Sequence, residues 1–173
     1  EKGKVKRADK RYISLSVAYG LRARMYLSMH EYAKAADDAA NAIKAAKSEG
    51  IAIASRDEVA KPTFWSVDET NWMWGIIISE TDDVVDTGIC NWPSHMGSLN
   101  YGYANYSGGR QISLELYSGI NDSDIRKSWW LDAAAEAQED FLTEEQAAFV
   151  AKQGYKPYTQ VKFGPYNDVV GTT

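Results

Sequence analysis

Cysteine is almost missing from this sequence, and its scarcity removes whole classes of protein at once. Cys90 is the single thiol among 173 residues, so no internal disulfide forms and no cysteine-rich zinc site is built. A lone thiol suits a reducing compartment, and it suits equally an exported protein that uses no disulfides. Histidine is nearly as scarce: His30 and His95 lie far apart with no metal-ligand spacing. There is no Gly-rich phosphate loop, nucleophile elbow or Cys/His pair. No apolar run reaches the roughly 18 residues that a membrane-spanning helix needs. A net charge of −5 argues against nucleic acid or an anionic membrane as partner, since both select a positive face. That small excess is read as solubility. No signal peptide is found, and the chain opens on Glu1 rather than Met. It is therefore expected to be an internal segment of a longer protein.

Phenylalanine is also rare, and here the contrast is informative. Four Phe stand beside 6 Trp and 11 Tyr, although Phe fills a core without bringing a polar atom that needs a partner. Trp and Tyr are favoured where one edge is apolar and the other wet, as at binding surfaces. The length suits one domain, burying roughly 70% of its unfolded surface. Hydrophobic and charged contents of 45% and 25% are those of an ordinary globular protein.

The strongest pattern runs from Tyr19 to Ala42. Tyr19, Arg22, Ala23 and Tyr26, followed by Tyr32, Ala35, Ala39 and Ala42, reproduce tetratricopeptide spacing, with Arg22 where leucine is usual. Small residues let two antiparallel helices approach closely, and the tyrosines fill the flanking gaps. Ser14 is a cap for the first helix. The second runs from Tyr32 to about Lys47, with Lys44 and Lys47 near its end and Gly50 beyond. Residues 14–50 thus read as a helix pair. Only one full repeat is visible, and such repeats need neighbours to bury their faces.

Beyond it, Ile51-Ala52-Ile53 and Trp72 to Ile78 read as short apolar strands. Residues 81–110 change character: Gly88, Gly97, Gly102, Gly108 and Gly109 with Asn91, Asn100 and Asn105 forbid a long helix. A loop of that length tends to be functional. Ile112 to Ile120 is a short helix or strand, and Asn121 to Asp124 is turn chemistry. Thr143-Glu144-Glu145-Gln146 is a capping box, opening a short helix over 143–154 that stops at Gly154. Val161 and Phe163 favour β structure in the tail. The fold class is mostly α with loop-rich excursions: a tetratricopeptide-like helix pair plus short strands.

Four blocks in order carry a family resemblance. Leu21-Arg22-Ala23-Arg24-Met25-Tyr26-Leu27 followed by Glu31-Tyr32-Ala33-Lys34-Ala35-Ala36 resembles the helix pair of SusD/RagB-like proteins. Glu69-Thr70-Asn71-Trp72-Met73-Trp74-Gly75 is similar to that family's entry into a short strand. Leu116-Tyr117-Ser118 leading to Asp124-Ile125-Arg126 resembles its tyrosine and Asp-x-Arg block. Lys162-Phe163 before Asn167-Asp168 is similar to its Lys-Phe stretch. The resemblance implies a single partial SusD-like domain over 1–173. It also implies a lipid-anchored, non-enzymatic protein on the outer face of a Bacteroidetes outer membrane. Its kin capture glycans and pass them to a TonB-dependent transporter, touching the membrane only through an anchor absent from this chain. No cofactor or metal is implied.

Sugar binding needs flat aromatic faces for the apolar side of a pyranose, with amides, carboxylates or Arg for its hydroxyls. Trp92, Tyr101, Tyr103, Asn105, Tyr106 and Arg110 supply these groups within 81–110. The competing reading is a self-packed loop whose aromatics pin it to the helices. Asp124 and Arg126 read as a structural ion pair or cap. Asp82, Asp83 and Asp86 lack EF-hand spacing and read as a solvated acidic turn. A glycosidase needs two facing carboxylates, for which Glu115, Asp122, Asp124, Glu139 and Asp140 are the raw material. Two rivals to glycan capture stand: a tetratricopeptide-type interaction module, and a glycoside hydrolase fragment.

Overall fold

The structure, a computed structural model, describes residues 9–78, 81–82, 91–138 and 140–171. The chain divides into two compact units: Glu1–Ala54 with Val67–Ile77, and Ser55–Ser66 with Ile78–Thr173. Helix dominates the regular structure in both. Among the described residues, none of the helices is long and apolar enough to cross a membrane.

The first unit is the helix pair. α1 (Leu15–Ser28) starts at Ser14, whose side chain accepts from the Val17 amide. α2 (Tyr32–Ser48) follows after a turn in which His30 takes a positive φ of 61°. Gly50, at φ 79°, takes the left-handed conformation that ends the helix without Cβ strain. The seam differs from expectation at Ala39 and at Tyr32, whose ring is exposed and meets His30 edge-on instead of filling a gap between the helices. Ala35, Asp38, Ala42 and Ala46 are buried, whereas Ala39 is exposed. Three- and four-residue steps from Ala35 keep one helix face, and that face passes through Asp38.

Asp38 explains why Arg22 replaces the usual leucine. The Arg22 guanidinium grips the buried carboxylate with Nε–Oδ2 at 2.6 Å and Nη2–Oδ1 at 2.9 Å. Tyr19 and Tyr26 lie under the same cation at 5.5 and 6.0 Å. Ser16 and Glu49 tie the other end, with Oγ–Oε2 at 3.0 Å.

The hydrogen bond from Arg22 holds the Asp38 carboxyl below its ordinary value. Its contribution to stability is therefore fully present above about pH 4. It is lost as pH falls through the depressed folded value. Arg22→Leu alone strands a buried carboxylate and is expected to lower the melting temperature. Arg22→Leu with Asp38→Ala, an all-apolar seam, is expected to recover most of the loss. Equal losses in the single and double variants would contradict this assignment.

The two expected strands of this unit are not formed. Ala52 N bonds Thr70 O at 3.1 Å and Gly75 N bonds Lys10 O at 3.2 Å, isolated links with no ladder. Lys10 adds side-chain bonds to the carbonyls of Val67 (2.6 Å) and Glu69 (2.7 Å). Ile53 and Ile76 are 95% and 89% exposed. An apolar run becomes a strand only when neighbouring segments pair with it in register, and these segments meet it at single points.

The second unit carries α3 (Arg56–Val59), α4 (Trp92–Met96), α5 (Tyr103–Tyr106), α6 (Leu114–Gly119) and α7 (Glu144–Gln153). It also carries 3₁₀ turns at Ile125–Trp129 and Tyr166–Asp168. α7 opens with the expected capping box, Thr143 with Gln146, and closes on left-handed Gly154. Its core is Leu99, Leu131, Phe141, Val150, Tyr155 and Val161. Segment 159–163 bridges Gln111, Trp130 and Thr63, each by one isolated pair. These bridges are the only β structure among the described residues, so the expected short strands reduce to single pairings.

Candidate functional site

The described part of the aromatic loop, residues 91–110, lies in the second unit and is held from within. Asn91 caps α4 by accepting from the Ser94 amide at 3.0 Å. Ser94 Oγ in turn accepts from the Tyr103 amide at 3.0 Å, which joins α4 to α5. Gly102 is required between them, because a Cβ there would lie 2.2 Å from Ser94 Oγ. Asn105 Oδ1 accepts from the Gly102 amide at 2.8 Å, and its Nδ2 donates to the Tyr155 hydroxyl at 2.6 Å. Tyr155 bonds onward to the Ser98 carbonyl, and burial pushes its phenol well above the ordinary range. Gln160 Nε2 holds the Met96 carbonyl. Both halves of the loop are therefore fastened to segment 155–160.

That fastening leaves the rings outside. Trp92, Tyr101, Tyr103 and Tyr106 are 59%, 46%, 42% and 72% exposed. The six residues picked from the sequence fall into three neighbourhoods. Tyr101, Asn105 and Tyr106 line one open depression of about 210 Å³ with Phe149 and Gln153. The hydroxyls of Tyr101 and Tyr106 meet at 3.0 Å with their rings edge to face at 77°, and this bond raises the Tyr101 phenol. Tyr103 stacks on His95 at 4.8 Å, beside Arg110, which donates to the His95 carbonyl (2.8 Å) and Ser107 Oγ (3.1 Å). Trp92 turns instead to Phe163, with centroids 5.0 Å apart.

Asn105 lines the depression, and both ends of its amide are bonded to the framework, at Gly102 and Tyr155. Its partner in the depression, Gln153, makes no side-chain hydrogen bond among the described residues and presents a free planar amide. Phe149 and Gln153 stand four apart on α7 and so share one face. That spacing was the available signal, but nothing in the sequence tied α7 to the loop.

Other candidates resolve as framework. Asp124 caps the 3₁₀ turn through the Arg126 amide at 3.0 Å and pairs with its guanidinium, which draws the carboxyl down to about 2. Lys127 holds Asp122 at 2.5 Å and lowers it too. A glycosidase acid needs the opposite, a raised carboxyl. Asp83, Asp86, Cys90 and Glu139 lie outside the described residues. Among the described residues no three His, Cys, Asp or Glu side chains gather as a metal site. A larger hollow of about 310 Å³ beside Glu136, Asp140 and Leu142 has no aromatic lining.

No protein-family model matches the chain, and no curated protein or solved structure is significantly similar to it. The resemblance to SusD/RagB-like proteins rests on the four sequence blocks alone.

Proposed function

We propose that this chain captures glycans without cleaving them. It would do so as part of a SusD/RagB-like surface lipoprotein that delivers its ligand to a TonB-dependent transporter. The observation that carries the reading is the set of exposed rings on a self-fastened loop. Trp92, Tyr101 and Tyr106 offer faces to solvent, while Ser94, Asn105 and Tyr155 beneath them are hydrogen-bonded within the chain. Rigid aromatic platforms stack on sugars with little ordering cost, and Gln153 and Arg110 supply donors at the margins. In this reading the helix pair is scaffold and a docking face for the transporter. The ordered blocks of the resemblance, not the loop geometry, suggest the outer-membrane setting.

The test is affinity electrophoresis of single alanine variants in gels containing polysaccharide. Loss of one stacking ring is expected to cost about 1–3 kcal/mol, taking the magnitude from base stacking on aromatics. Trp92→Ala and Tyr106→Ala should therefore migrate faster than the parent in the gel that retards it. Asn105→Ala should act through stability instead. Unchanged retardation in all the ring variants would move the site elsewhere.

One observation favours a second reading, a tetratricopeptide-type interaction module. Leu21 and Met25 of α1 and Met29 at its C-cap are exposed at four-residue steps, and a repeat face of that kind is normally covered by a neighbour. Under that reading a sugar panel leaves the protein unaltered.

A further inference from the structure

A cation sits within the aromatic surface of the second unit, and among the described residues it has no counterion. Lys162 Nζ lies 4.6 Å from the Phe64 ring, 4.7 Å from Trp129 and 5.0 Å from Phe163. The rings are fixed independently of it. Trp129 Nε1 donates to the Val59 carbonyl at 3.1 Å. Phe64 meets Trp129 and Phe163 edge-on at 6.5 and 5.8 Å. The backbone beneath is clamped by Thr63 N to Lys162 O at 3.0 Å and Gly164 N to Thr63 O at 2.8 Å.

Among the described residues Arg110 is held by the His95 carbonyl and Ser107 Oγ, while Arg126 and Lys127 have carboxylates, Asp124 and Asp122. Lys162 has none, and its ammonium makes no hydrogen bond among the described residues. Burial alone lowers its proton affinity. Ring faces attract a cation through their quadrupole but give weak acceptors for its three N–H groups. The half-buried ammonium thus keeps donors that an anionic oxygen would satisfy strongly.

Trp92 brings this cluster into the candidate site, since its exposed ring packs on Phe163. Phe64, which meets the same Phe163 ring, is also partly exposed. We propose that the captured glycan is acidic: Lys162 receives the carboxylate or sulfate of a charged sugar whose ring stacks on Trp92. This inference rests on the glycan-capture reading and names its substrate class. The chain's net charge of −5 opposes a polyanion only at long range, where physiological salt screens beyond about 8 Å. Contact is then decided by the local cation.

Polygalacturonate and its fully methyl-esterified form carry the same rings with and without charge, and sulfated and unsulfated galactan test the other anion. Isothermal titration of the full chain with all four is expected to favour the charged member of at least one pair. Lys162→Gln should weaken binding of that charged polymer by about tenfold or more and leave its neutral counterpart unchanged. Lys162→Arg should retain most of the preference. Near-UV circular dichroism of each variant establishes that the rings remain packed. Equal affinity for charged and neutral partners, or a Lys162→Gln protein that keeps the preference, would overturn the acidic assignment while leaving glycan capture standing. Binding to none of the four or to any other glycan, by a chain with fixed tertiary signals, would overturn both.

Discussion

Leu131→Ala is expected to destabilise the second unit by about 2–5 kcal/mol. Leu131 is fully buried, packed among Leu99, Phe141, Val150, Tyr155 and Val161. The backbone around it is fixed, because its amide donates to the Thr159 carbonyl at 2.8 Å and Val161 N to Trp129 O at 2.8 Å. A site so tied cannot collapse onto the missing atoms, so the cavity remains and the cost lies toward the upper part of that range. The same cluster contains Tyr155, whose hydroxyl holds Asn105 and through it the α5 turn. Urea unfolding followed by tryptophan fluorescence should show a lower midpoint with an unchanged slope. A loss under about 1 kcal/mol, the scale of an ordinary surface change, would mean that the cluster is not the core.

Gly109→Ala should do comparable damage by a different mechanism. Gly109 holds φ at 86°, and a Cβ there would lie 2.2 Å from Thr159 Cγ2 and 2.7 Å from its Oγ1. Thr159 has no room to yield: it is fully buried, and its hydroxyl donates to the Lys156 carbonyl at 2.8 Å. The left-handed backbone costs roughly 1–2 kcal/mol and the overpacking roughly 1–3 kcal/mol more. Gly154→Ala separates the two contributions, since Gly154 holds φ at 62° with nothing within 4 Å of the added atom. Gly109→Ala should therefore unfold at distinctly lower urea than Gly154→Ala. Coincident curves would remove the steric part of the explanation. Because the Gly109 amide also bonds the Ala104 carbonyl at 2.7 Å at the end of α5, the same variant should weaken sugar binding.

Where caps wrote a helix boundary into adjacent residues, the sequence could be read directly. Ser14, Thr143 with Gln146, and Gly154 mark helix ends through local hydrogen bonds and left-handed backbone, and those ends fall where expected. Pairing across the chain was less legible. Small-residue spacing pointed to Ala39 at the helix seam, but the ion pair with Arg22 draws Asp38 there instead. The Arg at a leucine position was visible, and its partner sixteen residues on was not. Apolar runs at 51–53 and 72–78 looked like strands because composition cannot show whether a paired neighbour exists.

The candidate site divides the same way. Exposed Trp92, Tyr101, Tyr103 and Tyr106 were legible from the mixture of aromatic and turn-forming residues in one stretch. Asn105 was legible by type, but its bonds to Gly102 and Tyr155 were not. Phe149, Gln153, Phe64 and Lys162 come from distant segments, and only the fold brings them to the loop or to Trp92.

Tryptophan-fluorescence titration of the intact chain against plant, microbial and host polysaccharides tests glycan capture most directly. A reducing-sugar assay and near-UV circular dichroism are run on the same samples. Saturable binding to one glycan class, with no release of reducing ends, is the predicted result. A chain that shows fixed tertiary signals yet binds no glycan, or one that releases reducing ends as it binds, would contradict it.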